Sequence, residues 1–185
     1  MLWVGLVVEG LYDEAALPEF VRKCAPSETK VICRPCGNAI ELMKKFPAFL
    51  EDFRHVKHGF PVDKAIVIRD ADHKDPSELI ARMEARISGR TYPFTRELLV
   101  IVQELEAWLL ADDTALSAVT GIRQQIEREP EKLHHPKERL QRLLSQARIT
   151  YTSERAKQIA AAARPDILAN RCPSFKKFQE AAAKS

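Results

Sequence analysis

The first part of the chain alternates between short apolar runs and longer segments in which apolar side chains recur every third or fourth residue. The short runs, at residues 2–8, 30–33, 64–69 and 97–103, predict β-strands, and the continuous apolar run at 2–8 is typical of a strand buried on both faces. The segments between them predict amphipathic helices, such as the one expected over residues 39–56. Because strands that alternate with helices usually pair in parallel, we expect an α/β fold with an open, mainly parallel four-stranded sheet flanked by helices.

The last third of the chain has a different pattern, because no further strand is predicted beyond residue 120. Helical spacing marks three segments there: residues 136–146, 154–163 and 174–183. We therefore divide the chain into an α/β domain over residues 1–120 and an all-helical extension, packed on it, over residues 121–185.

The composition bears on location and on the cysteines. No apolar run reaches the roughly 18 residues that a membrane-spanning helix needs, and the apolar start lacks the basic region and cleavage site of a signal peptide. We therefore expect a cytoplasmic protein that does not contact a membrane. In that setting the pair Cys33 and Cys36, spaced as CxxC, is interpreted as part of a scatter of reduced thiols rather than as a zinc or redox site.

The net charge of +3 conceals an asymmetry along the chain. Residues 1–120 contain 15 Lys and Arg against 19 Asp and Glu, whereas residues 121–185 contain 14 against 7. An acidic first part and a basic second part fit a metal-holding site beside a phosphate-binding surface. A solvated helical surface that happens to be rich in Lys and Arg is the alternative explanation.

Carboxylates follow three of the four predicted strands. The pairs are Glu9 with Asp13, Asp70 with Asp72, and Glu104 with Glu106. In open α/β sheets ligands bind beyond the carboxyl ends of the strands, so these side chains are expected to lie at the ligand-binding edge. If the chain stays extended through Asp70-Ala71-Asp72, which follows the third predicted strand, the two carboxylates point the same way.

Clustered carboxylates repel one another and need a cation or raised pKa values to coexist. Their hard oxygen atoms select Mg²⁺ or Mn²⁺ rather than zinc, and Mg²⁺ commonly works on phosphate esters. Each residue also has a structural alternative. Asp13 could cap a helix, Glu104 could be a first-turn acid favoured by the helix dipole, and Asp70 and Asp72 could be surface loop residues.

Two of these motifs resemble a known family. Val8-Glu9-Gly10-Leu11-Tyr12-Asp13 resembles the EGxxD opening of a TOPRIM domain, and Ile68-Arg69-Asp70-Ala71-Asp72 resembles its DxD element. TOPRIM is the fold shared by topoisomerases, bacterial primases and the OLD-family nucleases. Residues 104–112, 136–137 and 172–178 are similar to an uncharacterised bacterial group of TOPRIM-like proteins, so the resemblance runs nearly the whole length.

The resemblance implies roles for the carboxylates. Glu9 would be a metal ligand or the general acid/base, and Asp70 and Asp72 would hold Mg²⁺. Asp13 would correspond to the extra acid with which OLD-type nucleases hold a second metal, and Glu104 or Glu106 would complete that shell. The resemblance also implies a partner, because members of this group are often linked with an ABC/AAA-type ATPase in phage defence.

The leading hypothesis is a Mg²⁺-dependent nuclease that acts on DNA or RNA. Cationic side chains would hold the nucleic-acid backbone: Lys74, Lys137, Arg139, Arg142, Lys176 and Lys177. One alternative is a non-catalytic sensor or effector subunit that docks on an ATPase, since the chain itself has no P-loop motif. Another is phosphotransfer or phosphatase action on a small molecule. Whether one or two metal ions bind stays open.

Overall fold

The computed structural model, which describes residues 1–124 and 127–184, contains one sheet of four parallel strands in the order β2-β1-β3-β4. The strands are β1 (Trp3–Val8), β2 (Lys30–Pro35), β3 (Lys64–Asp70) and β4 (Thr95–Ile101). Helices flank this sheet and also form the rest of the chain. The predicted α/β class, with an open parallel four-stranded sheet and C-terminal helices, is therefore confirmed.

Nine α-helices and one short 3-10 turn (Pro130–Lys132) occur in the described part of the chain. The helices are α1 (Leu11–Cys24), α2 (Ala39–Asp52), α3 (Pro76–Arg86), α4 (Leu105–Leu109), α5 (Asp113–Thr120), α6 (Pro136–Gln146), α7 (Ser153–Ala162), α8 (Pro165–Arg171) and α9 (Pro173–Ala183). The pattern did not predict α8, because seven residues are too few to show a helical period. Within the described ranges, no helix is long and apolar enough to cross a membrane.

The sheet is covered on both faces, which is why the central strands are apolar without interruption over residues 3–8 and 65–68, whereas the edge strands β2 and β4 are less buried and contain charged residues. Side chains alternate between the faces, so Leu6 and Ile66 point into one cluster while Val7 and Val67 point into the other. The first cluster contains buried side chains of α1, α7 and α9. The second contains buried side chains of α2 and α3. The sheet therefore lies between two layers of helices.

The C-terminal helices share the first cluster with the α/β part of the chain. The buried ammonium of Lys64, on the central strand β3, donates to the carbonyls of Ala181 at 2.6 Å and Ala182 at 3.3 Å, at the end of α9. Likewise, the indole N–H of Trp108 donates to Ser174 Oγ at 2.9 Å. Residues 125, 126 and 185 of the predicted extension lie outside the described residues.

The four cysteines are free, and burial raises the pKa of each thiol. For Cys33 this pKa rises to about 12, chiefly through burial, and for Cys36 it rises to about 11. Because the thiolate is the reactive form, thiols in these surroundings are poor nucleophiles. This environment fits the interpretation of the CxxC pair as unreactive reduced thiols.

Gly5 on β1 lets the sheet approach the ring of Phe53 closely. A Cβ atom at position 5 would come within 2.5 Å of Phe53 Cε2, far closer than such atoms approach one another in proteins. Phe53 is fully buried in the second cluster, so its ring has little room to move. The absence of a side chain at this position therefore sets the distance between the sheet and the C-terminal end of α2.

We expect Gly5→Ala to lower the free energy of unfolding by about 1–3 kcal/mol, because the added methyl group overpacks a filled core. Urea denaturation measures this loss. In a double variant, Phe53→Leu should restore part of it, since the smaller side chain removes the clash and couples the two sites. Equal urea midpoints for wild type and Gly5→Ala would show that the ring yields freely.

Candidate functional site

The order of the strands in the sheet indicates where a ligand-binding crevice is expected. The connection from β1 leads outward to β2, whereas β3 lies on the other side of β1. A crevice opens at such a reversal, beyond the carboxyl ends of the two central strands. There the structure forms a cleft of about 390 Å³ whose lining includes five of the six predicted carboxylates: Glu9, Asp13, Asp70, Glu104 and Glu106.

Glu9 follows β1 and is held by the end of β3. The backbone N–H of Asp70 donates to Glu9 Oε1 at 3.1 Å, and Arg69 Nε lies 3.7 Å from the same oxygen. Burial nevertheless raises the pKa of Glu9, more than the Asp70 N–H and the Arg69 charge lower it. A carboxylate with a raised pKa and a fixed position is suited to proton transfer.

Asp13 lies in the first turn of α1 and has two roles in the structure. Its Oδ2 accepts the backbone N–H of Gly10 at 2.9 Å, which stabilises the start of the helix as the capping alternative predicted. Its side chain also lies in the cleft, where burial raises its pKa to about 7 and the charges of Glu9 and Glu106 add to the effect. Capping the helix and facing a ligand are therefore compatible.

Asp70 is half-buried as a residue, but one of its carboxylate oxygens, Oδ1, is fully buried. Among the described residues nothing donates a hydrogen bond to its buried Oδ1. Burial raises the pKa of this carboxyl well above its usual range, and the charges of Asp13, Glu9 and Glu106 raise it further. A buried oxygen without a donor is costly, so a proton or a cation is needed to stabilise it.

Glu106, in the first turn of α4, is held by the C-terminal part of the chain. Tyr151, which precedes α7, donates its hydroxyl to Glu106 Oε1 at 3.0 Å and stacks on Tyr12 with the ring centroids 4.8 Å apart. Burial raises the pKa of Glu106, although the Lys137 charge and the Tyr151 hydroxyl oppose the shift. Tyr151 was not predicted as a site residue, because it is distant along the chain from the other site residues and lies in no motif.

Glu104 forms a structural hydrogen bond to the backbone of α6. Its Oε2 accepts the backbone N–H of Lys137 at 3.1 Å, so it stabilises the first turn of α6 from a different part of the chain. The Lys137 ammonium lies 4.7 Å from the centroid of the Tyr12 ring, and its charge lowers the pKa values of Asp13 and Glu106. Lys137 is therefore a cation within the acidic cleft.

Asp72 does not point into the cleft with Asp70. The two side chains were expected to point the same way if the chain stayed extended. The chain is not extended here, because Asp72 has a φ of +48°, in the left-handed region. Asp72 is exposed and does not line the cleft. Its negative charge still raises the pKa values of Glu9 and Asp70, so it lies close enough to contribute to the same field.

The six predicted nucleic-acid-binding residues do not form one surface. Lys137 lies in the cleft, and Lys74 lines an adjacent groove between α2 and α3. Arg139 forms an ion pair with Glu127 at 2.7 Å. The remaining three residues are exposed on the helical part of the chain: Arg142 on α6, and Lys176 and Lys177 on α9.

The cleft fits a hard divalent cation by its chemistry but not yet by the positions of its oxygens. Across residues 1–124 and 127–184, no three acidic, histidine or cysteine side chains stand in a metal-holding arrangement. The mutual electrostatic effects of Glu9, Asp13, Asp70 and Glu106 nevertheless place them in one site. Several of these carboxylates turn toward protein N–H and O–H donors, so a Mg²⁺ or Mn²⁺ ion would require side-chain rotation, with Asp70 Oδ1 the free oxygen.

The pKa of Asp13 makes the stability of the metal-free protein depend on pH. The folded chain retains the Asp13 proton up to about pH 7, whereas the ordinary value is 3.8. Between pH 3.8 and about pH 7 the folded state binds more protons than the unfolded state, so the free energy of unfolding falls as pH rises. Asp13 causes no loss of stability below this pH range and its full loss of stability above it. Asp13→Asn cannot ionise, and its unfolding free energy should fall less steeply.

Urea denaturation in EDTA at several pH values between about 4 and 8 measures this slope for wild type and Asp13→Asn. The asparagine side-chain oxygen can still accept the Gly10 N–H, so the helix start is preserved. Parallel stability curves for the two proteins would contradict the assignment.

Comparison with known proteins gives a family but no activity. Neither the curated proteins nor the solved structures contain a match. A family model described as "Domain of unknown function (DUF4276)" matches residues 8–181, from the end of β1 almost to the end of α9. The match includes both parts of the chain that form the cleft, and the chain belongs to the DUF4276 family.

Proposed function

We propose that this protein hydrolyses phosphodiester bonds in nucleic acid with the help of Mg²⁺ or Mn²⁺. The observation that carries the proposal is the set of carboxylates that meets at the carboxyl edge of β1 and β3, with Asp70 Oδ1 buried and lacking a donor in the described chain. Such a set favours a hard divalent cation, and hard divalent cations commonly serve phosphate-ester chemistry.

In this proposal Glu9 and Asp70 hold the cation, and Asp13 and Glu106 are placed to take part in a second site. When bound, the cation would supply Lewis-acid polarisation of the phosphate and lower the pKa of a bound water. Asp72, exposed beside the cleft, would attract the ion by its charge and could reach it only after the loop moves.

The residues of the chain itself supply positioning and proton transfer. If Asp70 holds the cation without Glu9, then Glu9, whose pKa is raised by burial, is free to accept a proton from the attacking water. Lys137 in the cleft and Lys74 near Glu9 offset the negative charge that develops on the phosphate. Glu104 acts indirectly, because its bond to the Lys137 backbone fixes the helix that carries this lysine.

The resemblance of the EGxxD and DxD motifs to TOPRIM nucleases supports the same proposal. It also supports a role in phage defence together with an ABC/AAA-type ATPase, which would supply the ATP-dependent step. A cytoplasmic location belongs to this proposal as well.

A second candidate is a non-catalytic subunit that docks on such an ATPase. The hydrogen bonds of Asp13, Glu9 and Glu106 to protein donors favour it, because they stabilise the cluster without an ion. A small-molecule phosphatase or phosphotransferase is a third, since a cleft of about 390 Å³ is large enough for a small phosphate ester.

The nuclease proposal predicts metal-dependent cleavage that requires Asp70. We expect wild type to cut single-stranded or double-stranded DNA, or RNA, in Mg²⁺ or Mn²⁺, and Asp70→Asn to reduce the rate at least about a hundredfold, since the variant loses a ligand charge. Cleavage of labelled substrates on denaturing gels gives the rates. EDTA should abolish cleavage by the wild type.

Asp75→Asn is the matched control for this experiment. Asp75 lies five residues further along the same loop and caps α3 by accepting the N–H of Ser77 at 2.7 Å, a contact that asparagine can also make. This variant should cut at the wild-type rate. Folded wild-type protein that cleaves none of the substrates, alone or with the ATPase added, would refute the nuclease proposal.

Cation binding should also be visible without any substrate. At about 100 times its dissociation constant, Mg²⁺ or Mn²⁺ should stabilise the folded chain by about 2.7 kcal/mol, which raises the melting temperature by several degrees. The effect should be smaller at pH 5 than at pH 8, because the cation must displace protons held by Asp13 and Asp70. Thermal unfolding followed by circular dichroism measures both.

Asp70→Asn should lose most of this stabilisation, whereas Asp75→Asn should keep it. An equal response of all three proteins would place the cation elsewhere on the chain.

A further inference from the structure

A basic groove lies on the α2/α3 side of the sheet, next to the acidic cleft. Its cavity has a volume of about 500 Å³, and of its ten lining residues five are cationic and none is acidic. The cationic residues are Lys44, Arg69, Lys74, Arg82 and Arg86. We call this surface the basic groove.

The floor of the basic groove is apolar. Ile40, Met43 and Leu79 line it together with two alanines, and the Ile40 side chain is 69% exposed although it belongs to a well-packed helix. Arg86 Nε donates to the Met43 carbonyl at 3.2 Å and so joins the two helices that form the walls. An exposed apolar floor rimmed by cations suits a ligand that has both an anionic part and a flat, weakly polar part.

Arg82 and Lys74 have their charges available for such a ligand. In the part of the chain that the structure describes, neither forms an ion pair with a carboxylate. Lys44 has one partner, Glu41, at 2.9 Å on the exposed surface, where an ion pair is weak. Arg69 is buried and faces Glu9, so an incoming anion would meet Lys74, Arg82 and Arg86 as the cations without a carboxylate partner among the described residues.

The strand β3 connects the basic groove to the cleft. Side chains alternate along a strand, so Arg69 points to the α2/α3 face with Val67, whereas Asp70 belongs to the cleft. Glu9 lies at the boundary, with its Oε1 3.7 Å from Arg69 Nε and 3.1 Å from the Asp70 nitrogen. A ligand lying in the groove would therefore reach the carboxylates at its end.

We propose that the basic groove binds a single-stranded segment of nucleic acid, with phosphates on the cations and a base on Ile40, Met43 and Leu79. This inference rests on the proposed function, since it supplies the substrate strand for the cleft. A volume of about 500 Å³ is that of a small-molecule site, so the groove suits a short stretch of unpaired strand whose bases are free to contact its apolar floor. Binding by a basic groove with apolar contacts to bases is common among single-strand-binding proteins.

The basic groove, rather than the C-terminal helices, is then the principal surface that binds nucleic acid. Lys176 and Lys177 lie on α9, which packs against the other face of the sheet together with α1. They are therefore separated from the basic groove by the thickness of the sheet. An acidic protein segment would suit the cations as well, but it has no reason to lie beside a cluster of carboxylates that repels it.

Fluorescence anisotropy tests the proposal with labelled single strands of about 15 nucleotides, DNA and RNA in separate arms, in EDTA so that no cleavage occurs. For Lys44→Glu/Arg82→Glu we expect at least about tenfold weaker binding and a salt dependence whose slope is smaller by about 1.4, because two phosphate contacts are lost. Ile40→Gln should bind several-fold more weakly with an unchanged slope, since it removes an apolar contact and no charge.

Lys176→Glu/Lys177→Glu is the matched control, with the same change of charge on the opposite face. It should bind nearly as wild type does, and circular dichroism verifies that every variant is folded. A duplex of the same sequence should bind more weakly than the single strand and be insensitive to Ile40→Gln. The proposal is overturned if wild type binds neither strand at low salt, or if the α9 control weakens binding as much as the groove variant.

The two proposals can fail separately. Loss of binding in the groove variant, combined with no cleavage by wild type in Mg²⁺ or Mn²⁺, would support the groove and reject the nuclease. Cleavage that depends on Asp70, combined with unchanged binding by the groove variant, would support the nuclease and reject the groove.

Discussion

The repulsion among buried carboxylates at the ends of β1 and β3 is the constraint on which the rest of the site depends. Burial favours the protonated form of each acid, and the neighbouring acids increase that preference. The fold limits the cost with donors from many sources: the N–H of Gly10, the N–H of Asp70 and the Tyr151 hydroxyl. Among these carboxylates, Asp70 Oδ1 is a buried oxygen for which the described chain provides no donor, and this is why we propose that the cleft binds a cation.

Cationic and acidic side chains are separated at the carboxyl edge of the sheet. The groove on the α2/α3 side is lined by cations alone among its charged residues, whereas the neighbouring cleft has five carboxylates and Lys137. Consecutive residues of β3, Arg69 and Asp70, belong to the two sides because successive side chains of a strand point in opposite directions. Under the two proposals made above, an anionic polymer and a cation would be bound a short distance apart without competing for the same side chains.

The fold was predictable because continuous apolar runs and their alternation with helices constrain it strongly. The positions of Glu9, Asp13 and Asp70 in one cleft followed from the rule that the carboxyl ends of parallel strands share an edge. The rule could not foresee the left-handed turn at Asp72, which depends on a local loop, or the use of Glu104 to cap α6. Neither the role of Tyr151 nor the basic groove was predicted from the sequence, since each depends on contacts between segments that are distant along the chain.

The buried ammonium of Lys64 has a consequence for the order in which the protein folds. This residue lies on the central strand, but its partners are backbone carbonyls of Ala181, Ala182 and Lys184, among the last residues described. Burial lowers the pKa of Lys64, so an unpartnered ammonium would oppose closure of the core around β3. Burial of the central strand is therefore coupled to the docking of α9, so the strand that carries Asp70 and a helix more than a hundred residues away should reach their native contacts together.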